Sequence, residues 1–80
     1  MSPPRNPSLI NHLRTFRVEA GFTQQSLASK IGVTRKTINT VENSVFIPST
    51  VLALKLALAL ETNVESLFQL PASEASPTKE

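Results

Sequence analysis

Eighty residues without a cysteine and with two glycines make at most one small domain, held by packing rather than by disulfides or thiolate-bound metal. The single histidine, His12, cannot build a metal site alone. No nucleophile stands with a base and orienter, no carboxylate pair suggests a cleft and no glycine loop could cradle a phosphate, so no catalytic residue, metal, cofactor or enzymatic activity is expected. Net charge is only +2, but it is unevenly placed: Arg5, Arg14, Arg17, Lys30, Arg35 and Lys36 face Glu19 alone before Val41, whereas Lys55 and Lys79 face Glu42, Glu61, Glu65, Glu74 and Glu80 after it. A basic half and an acidic half point to one face for a polyanion and another turned away from it.

In chain order, residues 1–7 are polar and proline-rich, with no apolar run behind them to make a signal peptide, and are expected to form a flexible arm. Asn6 with Pro7, or Ser8, offers a start for a first helix over residues 9–20, in which Leu9, Ile10, Leu13, Phe16 and Ala20 share a stripe and Gly21 supplies a left-handed stop. Arg17 lies inside that stripe and must either reach water or find a carboxylate, because an unpaired buried charge costs several kcal/mol. Val18 points outward. His12 reads as a surface residue of this helix, with no assigned role.

Thr23 caps a second helix over residues 24–31, with Leu27, Ala28 and Ile31 inward and Gly32 as its stop. Val33 plugs the turn, and Thr34 caps a third helix that buries Ile38 and Val41 and runs to about Asn43. At 100° per residue, Arg35, Lys36, Asn39, Thr40 and Asn43 gather on its opposite face. That face is short, basic and rich in hydrogen-bonding groups.

After a loop over residues 44–48, Ser49 caps a fourth helix in which Lys55 is the only charge before Glu61. Residues 51–60 would span only about 15 Å as a helix, half of what a bilayer requires, so a soluble cytoplasmic protein without a membrane partner is expected. Leu52, Ala53, Leu56, Ala57 and Leu60 serve the core. This leaves Val51, Leu54 and Leu58 outside as a candidate dimer or partner interface, joined in one reading by Val45, Phe46 and Ile47 and in another covered by the loop and the last helix. Asn63 caps that short helix, residues 64–68, with Glu65 in its first turn. A domain over residues 8–70 and a disordered tail over residues 71–80 complete the expected organisation.

Residues 22–42, FTQQSLASKIGVTRKTINTVE, thus carry start, stop, start in the order of a helix-turn-helix. Together with LRTFR, the following Asn43, and PSTVLALKLALAL before NVESLF, they resemble the phage-repressor and Cro-like (XRE) family of regulators over residues 10–70, through the T-Q-x-x-L-A, G-V-T-R-x-T-I and V-E-N blocks. The resemblance implies an all-α, five-helix, lambda-repressor-like domain that places its third helix in the major groove of double-stranded DNA. It implies base reading by Arg35, Lys36 and Thr40 with Asn39 beside them, and phosphate contact by Gln24 and Asn43. Thr34 and Thr37, at the start of the third helix, complete the expected phosphate-contacting set. Arg17 and Glu42 match an arginine and glutamate that pair between the first and third helices in many members.

Three departures stand out. Ser44 and Val45 replace the usual glycine and lysine after V-E-N, Glu61 stands where many relatives have glycine, and Leu58 replaces a residue that is commonly polar. The expected function is a sequence-specific transcriptional regulator, a repressor acting as a homodimer. The competing class is an antitoxin-type protein-interaction module that also binds its own promoter. An additional ligand-binding domain or a protein partner is compatible with either.

Overall fold

Four helix starts are built by the side chain that precedes them. The Thr23 hydroxyl accepts from the Ser26 amide at 2.9 Å while the Ser26 hydroxyl accepts from the Thr23 amide at 2.9 Å. Thr34, Ser49 and Asn63 accept in the same way from Thr37 (3.2 Å), Leu52 (3.1 Å) and Ser66 (2.8 Å). Each cap satisfies an amide that has no partner within its helix, and contributes about 1 kcal/mol. The structure, a computed structural model, describes residues 9–71; the expected arm over residues 1–7, the Ser8 cap and all but the first residue of the expected tail lie outside them. The helices are α1 (Leu13–Glu19), α2 (Gln24–Ile31), α3 (Arg35–Glu42), α4 (Thr50–Ala59) and α5 (Val64–Leu67).

The stops of α1, α3 and α4 follow one pattern. At Gly21 the Gly21 amide donates to Val18 O and the Phe22 amide to Arg17 O, both at 3.0 Å. Ser44 and Glu61 close α3 and α4 through the corresponding pairs: Ser44 to Val41 and Val45 to Thr40, then Glu61 to Leu58 and Thr62 to Ala57. This arrangement needs a left-handed residue. Gly21 (φ +84°) and Gly32 (φ +81°) adopt it without a Cβ, while Ser44 (φ +59°) and Glu61 (φ +56°) adopt it despite one.

The first helix departs from expectation. It begins at Leu13, not Leu9, and residues Ile10–Asn11 form a short strand, β1, antiparallel to β2 (Phe68–Gln69), with Ile10 opposite Gln69 and Asn11 opposite Phe68. Two side-chain bonds hold the break. Asn11 Oδ1 accepts from the Leu13 amide at 2.9 Å, and Asn11 Nδ2 donates to the Val41 carbonyl on α3. The His12 amide continues the strand pairing, donating to Leu67 O at 2.8 Å. Ile10, expected inside, is therefore exposed, and so is Ala20, also expected inside, which caps the far end of α1.

The core sits where all five helices meet. Leu13, Leu27, Ala28, Ile38, Val41, Leu56 and Leu67 have no exposed surface, with Leu52, Ala53, Ala57, Leu60 and Phe68 around them. Phe16, Phe22, Ile31 and Val33 pack against this cluster from its edge. A fully buried leucine contributes roughly 1.5 to 3 kcal/mol relative to exposure, which is how so small a chain closes without cross-links. The packing of α2 on α3 through Leu27, Ala28, Ile38 and Val41 fixes the angle between those helices, and with it the face that α3 turns outward.

Candidate nucleic-acid interface

Glu42 is the last residue of α3, and its side chain has no exposed surface. Four donors surround it. Arg17 Nε donates to Oε2 and Arg17 Nη2 to Oε1 (3.3 Å), while Gln24 Nε2 (3.1 Å) and Arg14 Nε (3.3 Å) also reach Oε1. Burial alone would push the Glu42 carboxyl up. The hydrogen bonds from Arg17, Gln24 and Arg14, with the charge of Arg17, outweigh it and hold the group below its ordinary value. Arg17, only 11 % exposed at its side chain, is fixed on its other side by Nη1 donating to the Phe22 carbonyl at 2.8 Å. The cation on the apolar stripe of α1 thus meets a carboxylate and a carbonyl rather than solvent.

From this centre a chain of bonds runs outward along α2 and α3. Gln24 Oε1 accepts from Arg35 Nη1 at 3.0 Å, Gln24 Nε2 lies 3.5 Å from Asn39 Oδ1, and Asn43 Nδ2 donates to Asn39 Oδ1 (2.6 Å) and to the Asn39 carbonyl (2.9 Å). Gln24, Arg35, Asn39 and Asn43 are therefore one connected polar layer over Glu42.

Lys36 and Thr40 lie elsewhere on α3, in a shallow groove that they share with Thr34, Thr37, Val45 and Phe46. The Thr34 and Thr37 hydroxyls are 3.0 Å apart at the helix start, and the Thr40 hydroxyl donates to Thr37 O at 3.0 Å. The α3 face expected to read DNA is thus divided in two: Arg35 and Asn39 are tied to Gln24 and Asn43, while Lys36 and Thr40 face a groove walled by the apolar loop. Val51, Leu54 and Leu58 stand outside the core, at 62 %, 57 % and 81 % exposure.

Two residues in this region carry contacts that the sequence pattern did not single out. Asn11 joins the start of α1 to α3. Arg14 reaches both Glu42 and, at 3.5 Å, Asn43 Oδ1. Its position was legible in principle, since Arg14 and Arg17 stand three apart on one helix and face the same neighbour.

A family model described as Helix-turn-helix matches residues 13–67, the span from the start of α1 to the end of α5. The chain belongs to the helix-turn-helix family. A relative in Bacillus subtilis (strain 168), named as the HTH-type transcriptional regulator YgzD, is 35% identical over 60 residues, covering 75% of this chain and 91% of that protein. A second, named as an HTH-type transcriptional regulator of Archaeoglobus fulgidus (strain ATCC 49558 / DSM 4304 / JCM 9628 / NBRC 100126 / VC-16), is 43% identical over 56 residues, covering 70% of this chain and 80% of its own. Among solved structures, the hypothetical transcription factor NHTF from Neisseria superposes with a TM-score of 0.67 at 32% identity, over 79% of this chain and 71% of that one. In this helix-turn-helix protein α2 and α3 are the two helices of the motif, and Gly32 and Val33 make its turn. Among the described residues no helix is long and apolar enough to cross a membrane.

Proposed function

We propose that this helix-turn-helix domain is a transcriptional regulator that binds duplex DNA in a sequence-specific manner, with α3 in the major groove, and that it acts as a dimeric repressor. The observation that carries this reading is the outward side of α3: it carries Arg35 beside the start of α2 and Lys36 and Thr40 beside the following loop, while the one carboxylate of that helix is turned inward onto Arg17. A helix of this size fits the major groove, and an arginine near its start can grip guanine O6 and N7 together, a contact worth roughly 1 to 3 kcal/mol of discrimination. Gln24, at the first position of α2, sits where free backbone amides attract a phosphate oxygen. Thr34, Thr37 and Asn43 are placed to hold the flanking backbone, which sets register while base edges set sequence.

On DNA, Arg35 exchanges its bond to Gln24 for a base edge, and Gln24 turns its amide to a phosphate. The two motions are coupled because each residue holds the other in the free protein. The dimer is assigned to the α4 stripe of Val51, Leu54 and Leu58. A two-fold pair would set the two α3 helices about 34 Å apart, on half-sites one helical turn from each other.

Selection of bound duplexes from a random pool, followed by salt titration, tests the reading. An enriched inverted repeat and a steep salt dependence are expected, and Arg35→Ala should lower affinity for the enriched site more than for random duplex. Equal loss on both would remove Arg35 from base reading; no enrichment at all would reduce the domain to a nonspecific binder. Repression is checked on a reporter carrying the enriched site, where added protein should lower transcription and a rise would contradict it.

A further inference from the structure

Two arginines of α1 converge on the one carboxylate of α3, and only one of them is needed there. Arg17 covers Glu42 from within, with bonds to both carboxylate oxygens and a third to the Phe22 carbonyl. Arg14 meets the same carboxylate at 3.3 Å through Nε alone, meets Asn43 Oδ1 at 3.5 Å, and keeps its side chain 60 % exposed. The buried charge is balanced without it. Its own charge is therefore in surplus, and it emerges at the end of α3, beside Asn43 and the Gln24 amide that shares the same Glu42 oxygen. We infer that Arg14 takes a backbone phosphate of the duplex at the C-terminal end of α3, beside Asn43, whose side-chain amide already donates to Asn39.

The inference rests on the DNA reading above and adds a residue to it. The loop after α3 explains why such a site is useful to this chain: Val45 stands there and carries no charge, and with Phe46 it presents exposed apolar surface beside Lys36 and Thr40. A cation is supplied instead from α1, across the Glu42 layer. Both of Arg14's contacts are long enough to yield to a phosphate, because a charge-assisted bond to an anion closes to about 2.7 to 2.9 Å. Release leaves Glu42 with Arg17, so the core pair is undisturbed when Arg14 turns outward.

The experiment is a salt titration of binding to the enriched duplex by the wild type, Arg14→Ala, Arg14→Lys and, as a control, Lys30→Ala at the exposed last turn of α2. One lost phosphate contact lowers the slope of log affinity against log salt by about 0.9. That decrease is expected for Arg14→Ala on both the enriched and a random duplex, with Arg14→Lys retaining most of the wild-type slope and Lys30→Ala all of it. Thermal melting of Arg14→Ala close to wild type separates loss of a contact from loss of the fold. A wild-type slope in Arg14→Ala overturns the site while leaving the DNA reading intact. An equal fall in Lys30→Ala overturns it too, by reducing the effect to net charge. A wild type that binds no duplex at any salt overturns the DNA reading, and this inference with it.

Discussion

Glu42 shows how much one residue can organise. Its side chain is closed off from water, yet it remains an anion because Arg17, Gln24 and Arg14 all direct donors at it. Removing one partner of a buried pair is worse than never having had it, since the other is left charged in a medium that solvates it poorly. Arg17→Ala should therefore destabilise the domain by about 3 kcal/mol, read as a shift of the urea midpoint; an unchanged midpoint would show that the pair is solvated. The same carboxylate sets an acid limit. Its folded pKa lies below the ordinary 4.5, so its contribution is fully present at neutral pH and fades as pH falls below 4.5 through the folded value. In Glu42→Gln the decline of stability as pH falls from 4.5 through the folded value should be shallower than in wild type. Parallel declines in chemical denaturation would assign acid sensitivity to other groups.

At the scale of elements, α3 and α4 end on Ser44 and Glu61, both left-handed and both with a Cβ. A residue other than glycine in that region costs roughly 1 to 2 kcal/mol per site. Glu61 is exposed, so Glu61→Gly should raise stability by about 1 kcal/mol, seen as a higher melting temperature; a lower one would mean that the glutamate side chain contributes more than its backbone costs. These elements also separate what sequence reveals from what it hides. The caps at Thr23, Thr34, Ser49 and Asn63 were legible because capping chemistry is local, a side chain serving amides two or three residues on. The start of α1 was not. Leu9 and Ile10 continue the helical stripe of Leu13 and Phe16, and residues 10–11 are held in extended form by pairing with Phe68 and Gln69, far along the chain, together with the Asn11 side-chain bonds to Leu13 and Val41. The site divides in the same way. Helical period places Arg35, Lys36, Asn39, Thr40 and Asn43 on one outward face, but that Arg35 turns to Gln24 while Lys36 lines a groove with Phe46 is decided by neighbours on α2 and in the loop.

For the whole molecule, the outward-facing Val51, Leu54 and Leu58 are an association surface in the proposed dimer, since contiguous exposed aliphatics usually mark one. Sedimentation at rising concentration should show a dimer, and Leu58→Lys should shift it to monomer and weaken binding to an inverted repeat more than to a single half-site. A wild-type monomer at high concentration would exclude self-association. The pairing of β1 with β2 has a consequence in time. It joins the two most distant described parts of the chain, so it adds its enthalpy only after the loop between them has been closed by the helices. The clasp is therefore expected to be a late event in folding, absent from the barrier and present in the native state. Ile10→Pro, which breaks β1 at an exposed residue outside the core, should quicken unfolding while leaving the refolding rate near that of wild type, and a slowed refolding limb would place the clasp in the nucleus instead. On the expected outcome, a device of two residues per strand governs how long the folded domain persists, rather than how fast it forms.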